Sequence, residues 1–244
     1  MTALVVGASA GVGRALSEAL AANRKRLLLA ASDAEDLNAL ARHLRLVYGA
    51  TVVTVAADAR DPDAFADRIS AAATEIDDID ELYFPIGFSR RDDGAQLDAD
   101  ASLAILNSNL TVVTAVTARF LPGLLRRPKA RIVGFGSIAA VRGRKANVIY
   151  SAGKRGLESY FESLRHLTAG AGVIVQLYRL GYIETQQSFG QRLLFPVVTP
   201  EQVARYVSAT EGRDFGACFF PRFWWLIALA VAWLPWRIYK KLNF

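Results

Sequence analysis

Alternation is the strongest signal in this sequence, and it predicts an α/β fold. The expected architecture is a single doubly wound parallel sheet, followed by an apolar, tryptophan-rich helical segment at the C-terminus. Three observations carry this. Short apolar runs alternate with stretches of helical spacing from the first residue onward. Runs such as LLLAA and VIVQLY are continuously apolar, as strands buried on both faces are. A glycine trio lies directly between the first apolar run and the first helical stretch. A length of 244 residues suits one such unit, and no repeat, low-complexity tract or linker divides it.

The elements follow in order. Thr2–Val6 is apolar and ends at Gly7, and Val12–Ala22 has helical spacing. Arg26–Ala31 is apolar again, Asp33–Leu46 helical and Thr51–Val55 β-branched. Pro62–Ala73 reads as a helix with Pro62 in its first turn. Glu81–Ile86 is the next strand, and a long helix runs from about Ala99 to Leu125. The strand Ala130–Phe135, the helix Val148–Thr168 and the strand Val173–Tyr178 continue the series. Residues 1–221 are read as one catalytic domain and 222–244 as a separate aromatic and basic segment.

Composition excludes several classes. One cysteine, Cys218, allows no disulfide framework, and two histidines, His43 and His166, make a metal centre unexpected. The N-terminus has no charged leader before its apolar stretch, which reads as cytoplasmic. The net charge is 29 − 23 = +6, and its distribution is uneven. Arg119 to Lys145 holds eight bases and no acid, and Arg222 onward holds four more, again with no acid. No element interleaves aromatic and basic residues in a reading pattern, so nucleic acid is not an expected partner.

The segment Gly7-Ala8-Ser9-Ala10-Gly11-Val12-Gly13 fits a dinucleotide phosphate site. Glycines there permit a tight turn and close approach of backbone N–H groups to a pyrophosphate at the helix N-terminus. Gly7, Ser9, Ala10, Gly11, Val12 and Gly13 are the candidate contacts. The second strand ends in Ser32-Asp33. An acid at that position holds the adenosine ribose hydroxyls of NAD, whereas Ser32 could bond the extra phosphate of NADP. Asp33 also fits a helix-start pattern. NADP(H) is slightly preferred over NAD(H). Asp58, after the third strand, is a candidate acceptor for the adenine amino group.

Tyr150 and Lys154 are four residues apart in a helical pattern and therefore share a face. A cation beside a phenol favours the phenolate, so Lys154 is expected to lower the Tyr150 pKa. Such a phenol can give a proton to a developing alkoxide or take one from an alcohol. Ser137, at the carboxyl end of the strand RIVGFG, could donate to the same oxygen.

Gly7, Gly11 and Gly13, Asn109 in NSNLT, Ser137 and Tyr150…Lys154 together resemble the short-chain dehydrogenase/reductase superfamily, a Rossmann-type fold, over residues 1 to about 185. The resemblance implies that Tyr150 is the general acid/base and that Ser137 orients the carbonyl. Lys154 would hold the nicotinamide ribose, and Asn109 would support a proton-relay water from a helix kink. Gly181 and Thr185 match the family's Pro-Gly-x-x-x-Thr turn, with Thr185 on the carboxamide and Ile183 beside it. Two departures stand out. Phe84-Pro85-Ile86-Gly87 replaces Asn-Asn-Ala-Gly, keeping only Gly87 for close approach, and Leu180 replaces the later proline. The implied reaction interconverts a ketone and a secondary alcohol with NAD(P), as a reductase. A non-catalytic cofactor-sensing protein is the alternative.

Arg144–Tyr150 and Leu234–Leu242 show a narrower resemblance to reductases of decaprenylphosphoryl-2-keto-pentose. That implies a lipid-linked keto-sugar, with a keto-lipid or other small carbonyl compound next in line. Phe189, Leu193, Leu194 and Phe195 fall where the family places its substrate lid. All four tryptophans, Trp224, Trp225, Trp233 and Trp236, lie within thirteen residues. The uncharged run Phe223–Trp236 has 14 residues, short of the roughly 20 that span a bilayer. It is read as a contact with the inner face of a membrane, or as a helix packed over the sheet or at a subunit contact. The family resemblance implies a homodimer or homotetramer.

Overall fold

The computed structural model describes residues 1–90, 92–93, 97–184 and 195–242. Strands β1 (Thr2–Val6), β2 (Arg26–Ala31), β3 (Val52–Ala56), β4 (Glu81–Phe84), β5 (Ala130–Ser137), β6 (Val173–Leu180) and β7 (Gly216–Phe220) form one sheet in the order 3-2-1-4-5-6-7. Every neighbouring pair is parallel. The order reverses between β1 and β4, which opens a crevice at the carboxyl ends of those strands.

The strands are mostly apolar because both faces are covered. Ala3, Val5, Leu27 and Leu29 point into a core completed by α1 (Gly11–Ala22), α2 (Ala34–Tyr48) and α7 (Pro200–Ala209). Leu4, Val6, Leu28 and Leu82 point into the other, completed by α3 (Pro62–Ala72), α5 (Val112–Leu124) and α6 (Val148–Leu167). Ala99–Leu124 is long and has a mean hydropathy of 1.4, but Val112, Val113, Val116 and Leu124 are taken up by this second core.

Several expectations are corrected. The long helix is not continuous: α4 (Ala99–Leu106) and α5 are joined by a π-helical turn, Asn107–Thr111. Asp33 lies outside α2 and caps it, its carboxylate accepting the Asp36 N–H at 2.9 Å. The strand expected to reach Ile86 ends at Phe84, and β5 and β6 run two residues further than expected. Helix α7 and strand β7 had no counterpart in the sequence reading. A signal for α7 was present, because Thr199-Pro-Glu-Gln202 forms a complete capping box. The tail breaks at Leu234-Pro235 into α8 (Trp224–Trp233) and a single turn, α9 (Trp236–Tyr239).

Candidate active site

The glycine turn is shaped by what crosses it. Gly7 has φ +91°, and a Cβ there would lie 2.8 Å from the Ile86 backbone. A Cβ on Gly13 would overlap the Gly7 carbonyl, so helix and turn meet closely only with glycine at both places. Gly11 also has positive φ, at +50°. Ala10 is the N-cap of α1 and offers no side-chain acceptor to the first-turn N–H groups. Ser9, Ala10, Gly11 and Val12 all reach the surface. The helix start therefore presents donors and a positive dipole end to an anion.

At the next two strand ends the acids already have partners. Asp33 caps α2, while Ser32 beside it is exposed. Asp58 takes the Arg60 guanidinium on both carboxylate oxygens, at 3.0 and 2.8 Å from Nε. Arg60 holds the Asp58 carboxyl below the ordinary carboxylate range.

The third group of candidates converges beyond β4 and β5. Ser137 ends β5 and accepts the Ala139 N–H, starting a tight turn, Ile138–Ala140. Tyr150 sits in the first turn of α6, whose N-cap, Asn147, gives no side-chain bond. Asp93 supplies it instead, accepting the N–H of Ile149 at 2.8 Å and of Tyr150 at 2.9 Å. Sequence reasoning missed this residue, because it lies far along the chain from the helix start that it caps.

Lys154 lies one turn further on the same face and is 4% exposed. Its ammonium donates to the carbonyls of Phe135 at 3.1 Å and Ile86 at 3.3 Å. Asn109 lies in the π-helical turn, fully buried, and donates to the Phe88 carbonyl at 2.6 Å and the Ile105 carbonyl at 2.8 Å. A Cβ at Gly87 would be 3.3 Å from both Asn109 Oδ1 and Lys154 Nζ. Gly87, Asn109 and Lys154 thus form one cluster, with the Ile86 carbonyl bonded to the Lys154 ammonium.

Burial pushes the Tyr150 phenol above its ordinary pKa, while a hydrogen bond with Ser137 and the charge of Arg144 pull the other way. The expectation that Lys154 lowers it is corrected here. The Lys154 ammonium is turned towards two carbonyls, 5.9 Å from the centre of the Tyr150 ring, and its own burial brings its pKa down to about 8.

Gly181 follows β6, and a Cβ on it would overlap the Trp224 indole. Trp224 also meets the rings of Tyr182 and Phe195, each at 5.1 Å, and packs with Ile138 next to Ser137. Ile183 pairs with Val198 in an isolated parallel bridge. Thr185, Phe189, Leu193 and Leu194 lie outside the described residues.

A family model described as short chain dehydrogenase matches residues 1–192. An uncharacterized oxidoreductase of Myxococcus xanthus (strain DK1622) is 32% identical over 185 residues, 76% of this chain and 73% of that protein. The 3-oxoacyl-(acyl-carrier-protein) reductase of Escherichia coli (strain K12) is 26% identical over 186 residues, covering 76% of this chain and 75% of its own length. Among solved structures, a short-chain dehydrogenase from Sphingobium yanoikuyae in complex with NADPH shares the fold with a TM-score of 0.82. It is 22% identical and covers 99% of this chain and 96% of its own. The chain belongs to the short-chain dehydrogenase family and is an oxidoreductase of CH–OH and C=O groups that uses NAD(P).

Proposed function

We propose that this chain reduces a ketone to a secondary alcohol on an amphiphilic substrate, with NADP(H) preferred over NAD(H). The observation that carries the chemistry is a Tyr150 phenol close enough to Ser137 for that hydroxyl to pull its pKa down, one helical turn from a buried Lys154. The residues present fit a dinucleotide, since Gly7 and Gly13 leave a cradle that a Cβ would fill and the first turn of α1 has no side-chain cap.

The nicotinamide, when bound, supplies the hydride. Ser137 donates a hydrogen bond to the carbonyl oxygen and holds it beside Tyr150. Tyr150 then gives its proton to that oxygen as negative charge develops there. Burial keeps the phenol protonated, which suits a donor. Lys154 holds the nicotinamide ribose, and Asn109 steadies the loop at Phe88 and the water that refills the proton. Gly7, Ser9, Ala10, Gly11, Val12 and Gly13 cradle the pyrophosphate. Gly87, Gly181 and Ile183 would line the nicotinamide end.

The preference for NADP(H) is supported by the engagement of Asp33 as the cap of α2, which leaves the exposed Ser32 hydroxyl for the 2′-phosphate. The accessible rings of Tyr182 and Phe195, backed by the buried Trp224 that packs with Ile138 next to Ser137, support an amphiphilic substrate. A polyprenyl-phosphate keto-sugar is the first candidate and a keto-lipid the second. Similarity to a 3-oxoacyl reductase supports the ketone-reducing direction. The enzyme works in the cytoplasm, at the inner face of the membrane, as a homodimer or homotetramer.

The test is reduced-cofactor consumption with NADPH and NADH against polyprenyl-phosphate keto-sugars, 3-oxoacyl thioesters and short soluble ketones. Faster NADPH oxidation with the amphiphilic ketones is expected. A protein that binds NADPH and oxidises it with no ketone would be a cofactor sensor, and the proposal would fall.

A further inference from the structure

Helix α8 is apolar on every side, and only its inner side is used. Trp224, at 1% exposure, and Ala228, at 6%, pack on Ile138, Val141 and Tyr182. Arg142 fastens the end of the helix by donating to the carbonyls of Val231, at 3.0 Å, and Leu234. Its guanidinium lies 4.0 Å above the Tyr239 ring, and the Tyr239 hydroxyl donates to the Gly143 carbonyl at 2.7 Å. The outer side is bare: Trp225, Leu226, Leu229, Trp233, Trp236 and Ile238 are 50–81% exposed. A surface helix ordinarily carries polar residues there, and a contiguous apolar patch marks an interaction site.

The surroundings of the patch select its occupant. Arg222, Arg237, Lys240 and Lys241 are exposed, and no acid pairs with any of them among the described residues. Beside Trp225 a cavity of about 370 Å³ is lined by Arg213 and Arg222 together with Tyr206, Phe215 and Phe219. Basic groups over aromatic walls suit an anionic headgroup and the first carbons of its chain.

We propose that α8 and α9 lie in the plane of an anionic phospholipid surface, bare side down, so that the substrate side of the reductase opens at the lipid. Indoles favour the headgroup level and lysine and arginine favour an anionic leaflet. An in-plane helix needs no spanning length, and α8 has ten residues. A second copy fits the patch less well, because a two-fold contact through it would bring Arg237, Lys240 and Lys241 of both copies to one interface with no acid from residue 222 onward to pair them. The docking rests on the ketone-reductase reading only for its purpose. Trp224 and Arg142 join the platform to the loop after Ser137, so a lipid-borne ketone reaches Tyr150 without crossing bulk water.

Vesicle co-sedimentation of the full chain, without cofactor or substrate, tests the docking separately from the chemistry. Binding is expected to vesicles of phosphatidylglycerol with phosphatidylcholine and to be much weaker with phosphatidylcholine alone. Replacing Arg237, Lys240 and Lys241 with Gln should cost about fivefold in affinity per base. Replacing Trp225, Leu229 and Trp233 with Ser should abolish binding while short ketones are still turned over. Quenching of the wild-type tryptophans by brominated phosphatidylglycerol gives a second readout that needs no variant. Absence of both sedimentation and quenching overturns the proposal. So does a dimer that the Ser variants dissociate and that ignores vesicles.

Discussion

Two buried polar clusters sit at opposite ends of the same sheet, and they are built differently. At the amino end, Lys25 pairs with Glu81 at 2.6 Å and with Glu211. Arg131 donates to Gln176 at 2.7 Å, Tyr83 at 2.9 Å and the Val207 carbonyl at 3.2 Å. Gln176 and Tyr178 close the network on the Thr210 carbonyl and hydroxyl. Each buried charge there has a partner. At the carboxyl end, Lys154 is equally buried, yet among the described residues no carboxylate meets it and only carbonyls accept from it. A closed network spends its polar capacity on holding the fold, whereas an open one keeps that capacity for a ligand.

Removing either lysine breaks the symmetry of this comparison. Lys154→Met should lower kcat/KM by about 10²–10⁴-fold with no fall in melting temperature, since no ion pair is lost. Steady-state kinetics and thermal melts check both halves. Lys25→Met should do the reverse. Glu81, whose carboxyl is already pushed up by burial and held down chiefly by Lys25, loses that partner. A loss of about 3–5 kcal/mol in denaturant unfolding is expected, with kcat/KM per folded molecule unchanged.

Smaller effects sharpen the contrast. Asp93→Ala removes the cap on the first turn of α6 and should cost about 1 kcal/mol of stability. It should also lower kcat more than it changes cofactor affinity, because the bonded N–H groups include that of Tyr150. The pH profile is the mildest test. Lys154 titrates at about 8, so it is a cation below that value and neutral above it. The kcat/KM of reduction should be level below pH 8 and fall above it. A profile rising through that range would assign the wrong charge state to the site.

What the sequence made legible was whatever is local. The glycine turn, the order of strands and helices from β1 to β6 and the Tyr150–Lys154 spacing are each fixed by neighbouring residues, and they appear at the expected places in the fold. What escaped depends on partners distant in the chain. Glu81 and Arg131 read as ordinary members of apolar strands, and only parallel pairing places them opposite each other in register. Asp93 reaches a helix that starts 55 residues later (148 − 93 = 55). The tail read as one uniform apolar run, but its four tryptophans diverge in fate: Trp224 is buried against Gly181, while Trp233 is 81% exposed. Local periodicity cannot make that distinction, because it arises from Arg142 and Ile138.

The most direct test of the open cluster is a single-turnover mixing experiment with pre-bound NADPH and an amphiphilic ketone, comparing the wild type with Tyr150→Phe. The wild type is expected to oxidise the bound cofactor when ketone is added. The variant is expected to bind NADPH as tightly and oxidise it at least 10²-fold more slowly, roughly the contribution of a positioned general acid. A Tyr150→Phe protein that turns over at the wild-type rate would contradict the assignment of the chemistry to this site.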